Sequence, residues 1–224
     1  GLPVTFAGQA KVSAKDVLSV PETKRLDPSS QFALIAAREA WADAGTPDVD
    51  PERLAVEFAT GIGGVWTLLD AYDNLNANGP RRVLPMTVPM LMPNGPAAAI
   101  GMDIAARGGV RTAVSACASS TEAIANAITR LQSGDIDVVV AGGCEAAIHP
   151  LPIAAFASMH AVSRNNETTS VRSSMARRSL RSAITVDRTT SAKCGHRSAT
   201  AASPRWAASR SAWTATASGR SRCR

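Results

Sequence analysis

The apolar run Asp137-Val-Val-Val-Ala141 follows a helix-patterned stretch and limits the folds that this chain can adopt. A short, continuous run of β-branched residues is typical of a strand that is buried on both faces of a parallel sheet. Two further strands are predicted over Leu54–Thr60 and Arg111–Ala116. Because helical patterns separate the three strands, we expect helical crossovers between them. The sequence therefore predicts a layered α/β fold.

The first long helix is predicted to begin at Asp27-Pro28, an N-capping residue followed by proline at the first helical position. Its end is predicted at Gly45. The residues that share its apolar face are Leu34, Ala37, Trp41 and Ala44. Further helices are predicted over Val65–Asn76, from Pro93-Asn-Gly-Pro96 to Arg107, and over Ser119–Gln132.

Two unlike segments carry the charge of the chain. Residues 1–167 contain 12 Lys and Arg against 17 Asp and Glu, a net charge of −5; residues 168–224 contain 12 basic residues and the single acid Asp187, a net charge of +11. We therefore predict one α/β unit over residues 1–166 and an anomalous basic segment over residues 167–224. Its Arg, Ser, Ala and Thr content favours a coding sequence read out of frame. A solvated linker and a disordered tail that binds nucleic acid are the alternatives.

The cysteines indicate a reducing compartment. None of the four belongs to a C-x-x-C pair or a ligand cluster, so we expect no disulfide framework and no metal site. The N-terminal residues lack the regions of a signal peptide, and no uncharged apolar run is long enough for a membrane span. We accordingly expect a cytoplasmic location. The cysteines are Cys117, Cys144, Cys194 and Cys223.

Cys117 lies where the predicted strand Arg111–Ala116 meets the predicted helix Ser119–Gln132. A thiol at a helix N-terminus faces backbone N–H groups that favour the thiolate, which is the nucleophilic form. Ser119 and Glu122 have the spacing of a capping box, which places the helix start just after the cysteine. The sequence position therefore indicates a nucleophile, and the alternative is a buried, inert cysteine.

An ordered set of motifs resembles the β-ketoacyl-acyl-carrier-protein synthases, in particular the elongating class of bacterial type II fatty-acid synthesis. The motifs occur in the family's order between about Lys24 and Asn166. They are Thr60-Gly-Ile-Gly-Gly64, Asn78-Gly-Pro-Arg-Arg82, Pro93-Asn-Gly95, Val114-Ser-Ala-Cys-Ala-Ser119, Gly134-Asp-Ile-Asp-Val-Val-Val-Ala-Gly-Gly143, Pro150-Leu-Pro-Ile-Ala-Ala-Phe156 and Ala161-Val-Ser-Arg-Asn165.

The resemblance implies a thiolase-like layered αβαβα fold, of which this chain carries the N-terminal half without its first strand. It implies that Cys117 accepts an acyl group, which a malonyl-derived enolate attacks in a decarboxylative Claisen condensation, with no cofactor. The histidine and lysine motifs that serve decarboxylation in the family match nothing in the chain, and His196 resembles none of them. We therefore expect the chain alone to be inactive in condensation.

The resemblance also implies roles for other residues. Leu68 corresponds to a gating residue of the acyl pocket, and Phe156 to an aromatic residue at its mouth. Glu145 corresponds to an acid that supports hydrogen bonds near the site, whereas Cys144 and His149 are interpreted as structural. A homodimer through the strand before Cys117 is expected. The residues expected to dock the acidic acyl carrier protein are Lys24, Arg25, Arg81 and Arg82.

Two other functions remain as alternatives. An aromatic-polyketide ketosynthase has the same fold and mechanism. A scaffold whose basic tail binds nucleic acid belongs to a different class, but the tail lacks the interleaved aromatic residues of RNA-binding segments.

Overall fold

The computed structural model of the chain describes residues 1–166 and the strand Ala183–Asp187. In chain order its helices are α1 (Val20–Arg25), α2 (Pro28–Asp43), α3 (Val65–Asn78), α4 (Thr87–Leu91), α5 (Gly95–Asp103), α6 (Ser119–Ser133) and α7 (Pro150–Ser158). Its strands are β1 (Leu54–Ala59), β2 (Val110–Arg111), β3 (Val138–Gly143) and β4 (Ala183–Asp187). None of the described helices is long and apolar enough to cross a membrane.

The strands form one sheet in the order β2-β1-β3-β4. β1 pairs in parallel with both β2 and β3, and β4 runs antiparallel to β3. The central pair is in register over six positions, from Leu54 opposite Val138 to Ala59 opposite Gly143, and every residue of both strands is buried. The buried parallel strand predicted at 137–141 and the strand predicted over Leu54–Thr60 are therefore confirmed.

Helices cover both faces of the sheet, because alternate strand residues point to opposite sides. Val56 and Phe58 of β1 pack in one apolar cluster with residues of α2 and α5. Ala55 of the same strand and Val139 of β3 pack in a second cluster with α6. The described chain is thus a helix–sheet–helix unit with a core on each side of the sheet.

Asp27 fixes the start of α2 and links that helix to α3. One carboxylate oxygen accepts hydrogen bonds from Ser29 N at 2.9 Å and Ser29 Oγ at 2.7 Å, which confirms the predicted cap. The other oxygen accepts bonds from Thr67 N at 3.0 Å and Thr67 Oγ1 at 2.8 Å. Because Asp27 is fully buried, the contacts to Thr67 fix α3 against the N-terminus of α2.

A buried ion pair crosses from the sheet to α6. Glu57 of β1 accepts a hydrogen bond from Arg130 Nη1 at 3.1 Å, and the side chains are 2% and 9% exposed. Arg130 also contacts Asp135 and donates to the Gly108 carbonyl, so its guanidinium joins three segments of the chain. Loss of the arginine would leave a carboxylate buried without its main partner, which is costly.

Two predicted boundaries are wrong. The strand predicted over Arg111–Ala116 is ordered as β2 only at Val110–Arg111, because the following residues leave the sheet edge and Ala116 turns to a left-handed φ of +50°. The helix predicted to reach Arg107 ends at Asp103, because Ala105 has a φ of +55° and the N–H groups of Arg107 and Gly108 bond to the Pro51 carbonyl.

β4 belongs to the basic segment over residues 167–224. The backbone of this strand pairs with β3 from Ala183 opposite Gly142 to Asp187 opposite Val138. The rest of residues 167–224 lies outside the described residues. The boundary at residue 167 and the origin of the basic segment stay predictions.

The ion pair of Glu57 and Arg130 predicts a measurable stability effect. Arg130→Met should lower the free energy of unfolding by about 3–5 kcal/mol, because it leaves the Glu57 carboxylate buried with only Arg111 at 4.0 Å. The double variant Glu57→Leu/Arg130→Met should recover most of that loss. Urea denaturation followed by circular dichroism measures both. Equal losses in the single and double variants would contradict this account.

Candidate active site

The carboxyl ends of β1, β2 and β3 lie at one edge of the sheet, because these strands are parallel. β1 continues into Thr60 and the Gly61–Gly64 loop, and β3 continues into Cys144 and Glu145. β2 continues through residues 112–115 to Cys117. One edge of the sheet therefore gathers the segments that carry Thr60, Cys117 and Glu145.

Cys117 lies in a single 3-10 turn, Ala116–Ala118, immediately before α6. Its side chain is exposed, unlike the buried, inert cysteine that was the alternative interpretation. Ser119 Oγ closes the turn, since it accepts a hydrogen bond from Ser115 N at 2.8 Å and donates one to the Ala116 carbonyl at 2.7 Å. The turn thus presents the thiol at the start of a helix.

The predicted capping box at Ser119 and Glu122 is wrong. Ser119 is the first residue of α6 rather than its cap, and Ala118 occupies the cap position without a side-chain hydrogen bond. The Glu122 carboxylate contacts Ser115 Oγ instead. The spacing alone predicts a capping box, but a 3-10 turn precedes the helix and turns both side chains toward the Cys117 segment.

Glu145 connects the end of β3 to the loop that follows β1. Its carboxylate accepts hydrogen bonds from Thr60 Oγ1 at 3.1 Å, Gly61 N at 2.8 Å and Ile62 N at 3.1 Å. A Cβ atom on Gly61 would lie 3.3 Å from the Ala116 carbonyl oxygen, so the loop backbone is packed against the turn of Cys117. The structure agrees with the prediction that Glu145 supports local hydrogen bonds.

Cys144 is a structural residue. Its thiol donates a hydrogen bond to the Ser29 carbonyl at 3.1 Å, and the side chain packs against the cluster between the sheet and α2 and α5. Burial raises the pKa of the Cys144 thiol well above its usual range, and the carboxylates of Glu145 and Asp27 raise it further. The preceding Gly143 has no room for a side chain, because a Cβ would collide with Ser120 Oγ.

The two residues expected at the acyl pocket lie on helices that begin near this edge. Leu68 is exposed in α3, which follows the Gly61–Gly64 loop, and Phe156 is exposed in α7. The helices meet through Trp66 and His149, whose rings pack edge to face with their centroids 4.7 Å apart. His149 also caps α7, since its Nδ1 accepts from Leu151 N at 3.3 Å, as expected of a structural residue.

The four basic residues expected at the carrier-protein surface are exposed. Lys24 and Arg25 lie in the last turn of α1. Arg81 and Arg82 lie in a 3-10 turn, Pro80–Arg82, which follows α3, and the Arg82 carbonyl accepts a bond from Asn74 Nδ2 at 2.7 Å. The pairs belong to different elements, and their action as one surface stays a prediction.

Sequence reasoning missed the roles of Thr60 and Ser119 in supporting Cys117. The signal for Thr60 was available, because it directly follows one buried strand just as Glu145 follows the end of another. The role of Ser119 depends on a turn geometry that has no sequence pattern of its own. In residues 1–166, no group of three His, Cys, Asp or Glu side chains is arranged to hold a metal ion.

Comparison with known families gives one match over most of the chain. Residues 14–176 match the family model described as the N-terminal domain of β-ketoacyl synthase. The 3-oxoacyl-[acyl-carrier-protein] synthase 2 of Mycobacterium bovis is 41% identical over 167 residues, which are 74% of this chain and 40% of that protein. The protein of the same name from Staphylococcus aureus is 38% identical over 167 residues, 73% of this chain and 40% of its own length. The chain thus spans about two fifths of the length of these curated relatives.

Solved structures with the same fold include a β-ketoacyl synthase from Burkholderia phymatum. Its TM-score is 0.60 at 24% identity, over 75% of this chain and 42% of that one. The ishigamide ketosynthase/chain length factor has a TM-score of 0.61 at 19% identity, over 68% and 39% of the two chains. A type II polyketide acyl-carrier protein in complex with its ketosynthase has a TM-score of 0.59 at 16% identity, over 66% of this chain and 43% of that one. These likenesses confirm the predicted thiolase-like α/β fold.

Proposed function

The chain belongs to the β-ketoacyl synthase family, and we propose that it carries the acyl-accepting part of a 3-oxoacyl-[acyl-carrier-protein] synthase of type II fatty-acid biosynthesis. The observation that carries this proposal is the exposed thiol of Cys117 in the turn between β2 and α6. Both curated relatives described above bear this enzyme name, which favours the fatty-acid pathway over the polyketide alternative.

The first half-reaction is a thioester exchange at Cys117. The Cys117 sulfur attacks the carbonyl carbon of an acyl thioester on a phosphopantetheine arm, a new C–S bond forms, and the bond to the pantetheine sulfur breaks. The pantetheine thiolate leaves with the electron pair and takes up a proton. The N–H group of Ser119 already bonds to the Ala116 carbonyl, but no side chain caps α6, so the N–H groups that follow in its first turn are available to stabilise negative charge on the acyl oxygen.

The second half-reaction needs groups that this chain does not supply. In a decarboxylative condensation, malonyl thioester loses CO₂, the resulting enolate attacks the acyl carbon on Cys117, and the C–S bond breaks as the C–C bond forms. The family resemblance assigns this step to two histidines and a lysine whose motifs match nothing in the sequence. We propose that the chain alone accepts the acyl group and does not form a 3-oxoacyl product.

Acyl transfer to Cys117 is directly measurable. After incubation with an acyl-pantetheine thioester, peptide-mapping mass spectrometry should find the acyl mass on the Cys117 peptide in the chain and in the Cys144→Ala variant, and on no peptide of Cys117→Ala. Addition of malonyl thioester should yield no 3-oxoacyl product. An acyl group on Cys144, or labelling that survives Cys117→Ala, would overturn the assignment of the nucleophile.

Leu68 and Phe156 are proposed to line the path of the acyl chain. Their support is their exposure on α3 and α7, the helices that Trp66 and His149 bring into contact next to the Cys117 edge. An exposed apolar side chain at such a position can bind a hydrocarbon chain.

An acidic acyl carrier protein is the proposed macromolecular partner. The support is the exposure of four basic residues on α1 and on the turn after α3, which are Lys24, Arg25, Arg81 and Arg82. The fold neighbour solved with its acyl-carrier protein is consistent with such a partner. Opposite charges increase the association rate and orient the partner more than they increase affinity.

Charge reversal tests the docking surface. Arg81→Glu/Arg82→Glu should lower the rate of Cys117 acylation by carrier-bound acyl thioester about tenfold at low salt, and the effect should shrink as salt screens the charges. The rate with free acyl-pantetheine should not change. Arg107→Glu is the matched control, because Arg107 lies beside Pro51, near the start of β1 and away from the site edge. An equal loss with the free thioester would contradict docking.

A homodimer through the β2 edge is the second proposed assembly. Val110 and Arg111 of β2 are exposed at the edge of the described sheet. An open strand edge is a template for pairing with another chain.

The oligomeric state of the chain tests the proposed dimer contact at β2. Sedimentation should give a dimer for the chain, a monomer for Ala113→Lys, which introduces a long charged side chain two residues after β2, and a dimer for Ala42→Lys at an exposed position of α2. A monomeric parent chain, or a dimeric Ala113→Lys variant, would contradict the assembly.

We further propose a cytoplasmic location, since Cys117 and Cys144 are free thiols, as expected in a reducing compartment.

A further inference from the structure

We propose that Glu145 is a positioning residue for Cys117, which it holds in place through the loop after β1 and not by exchanging a proton with the substrate. The inference rests on the proposed acyl transfer to Cys117 and identifies the residue that positions the Cys117 turn. Glu145 is itself exposed, yet its carboxylate hydrogen-bonds the loop after β1 rather than the Cys117 turn.

The carboxylate binds three donors of one loop. Oε1 accepts from Thr60 Oγ1 at 3.1 Å, and Oε2 accepts from Gly61 N at 2.8 Å and Ile62 N at 3.1 Å. Thr60 Oγ1 in turn accepts from Gly63 N at 3.1 Å. Because charge-assisted hydrogen bonds are shorter and stronger than neutral ones, this network fixes the backbone from Thr60 to Gly63.

The fixed loop supports the strained turn of the nucleophile. Ala116 has a φ of +50°, a left-handed conformation that a non-glycine residue keeps only where its surroundings hold it. Ser119 Oγ donates a hydrogen bond to the Ala116 carbonyl, and the Gly61 backbone packs against the same carbonyl. If the loop moves, Ala116 can relax to an ordinary φ, and the thiol of Cys117 moves with it.

The same carboxylate also distinguishes the two thiols of this edge. Glu145 directly follows Cys144, whose thiol is buried and donates to the Ser29 carbonyl. The negative charge of Glu145 adds to burial in raising the pKa of Cys144. Glu145 therefore helps to keep Cys144 unreactive while its loop holds Cys117 in the exposed turn.

The variants Glu145→Ala and Glu145→Gln separate positioning from proton transfer. Glutamine can keep three hydrogen bonds, because its amide oxygen accepts the Gly61 and Ile62 N–H groups while its amide nitrogen donates to Thr60 Oγ1, which reverses the direction of the Thr60 bond. The saturating rate of Cys117 acylation by free acyl-pantetheine should fall about 10- to 100-fold in Glu145→Ala, since a displacement of about 1 Å has effects of this size. In Glu145→Gln it should stay within about threefold of the parent, and neither variant should change the half-saturating thioester concentration appreciably.

Gly61→Ala disturbs the same contact from the other side. A Cβ there would lie 3.0 Å from Glu145 Oε2 and 3.3 Å from the Ala116 carbonyl oxygen. Its acylation rate should fall as in Glu145→Ala, and the two changes together should cost less than the product of their separate effects. If urea denaturation shows that Glu145→Ala is unfolded, Gly61→Ala still tests the proposal.

Glu22→Ala is the matched control. The Glu22 carboxylate also accepts three hydrogen bonds, from Ser19 N, Ser19 Oγ and Arg38, but at the start of α1. This variant should lose stability without a change in the acylation rate. A Glu145→Gln rate as low as that of Glu145→Ala, or a parent-like rate in Glu145→Ala, would overturn the positioning role.

Alkylation of Cys117 by iodoacetamide gives a readout that does not need an acyl pocket. Its rate should follow the same order, with the parent and Glu145→Gln fast and Glu145→Ala slow. Failure of acyl transfer in the parent chain would refute the proposed function, while the order of alkylation rates would still decide the role of Glu145. Equal alkylation rates in all three chains would refute that role.

Discussion

The in-register pairing of β1 with β3 is the constraint on which the rest of the described structure depends. Six residues of each strand pair in parallel and all are buried, so neither strand can slide without exposing apolar side chains or burying polar ones. Both strands consequently end at the same level of the sheet edge. Thr60 and Glu145, each within two residues of its strand end, come within hydrogen-bond distance for this reason.

Two thiols near the carboxyl ends of the parallel strands lie in opposite environments. Cys144 continues a buried strand, contacts the core and donates its thiol hydrogen to a carbonyl group. Cys117 follows an edge strand of only two residues and lies in an exposed turn. The reactivity of each cysteine therefore depends on the strand that it follows. Cys144 follows a central strand and lies against the core, whereas Cys117 follows the outermost strand and is exposed to solvent.

The sequence predicts the parts of this molecule that local patterns determine. The apolar run at 137–141, the cap at Asp27-Pro28 and the junction of Cys117 each follow from residue types at short spacing, and the structure contains all three. Ser119 and Glu122 have the right spacing for a capping box but serve a 3-10 turn, because that turn depends on contacts with Gly61 and Ser115. Such contacts come from distant parts of the chain or from backbone geometry, which spacing does not encode.

A crystal structure of the chain after incubation with an acyl-pantetheine thioester tests the central claim most directly. The account predicts electron density for the acyl carbonyl continuous with Cys117 Sγ, with the Glu145 carboxylate still bound to the Gly61 and Ile62 N–H groups. An acyl group on Cys144 Sγ, or an acylated Cys117 whose turn has moved away from an intact Glu145 and Gly61 loop, would contradict it.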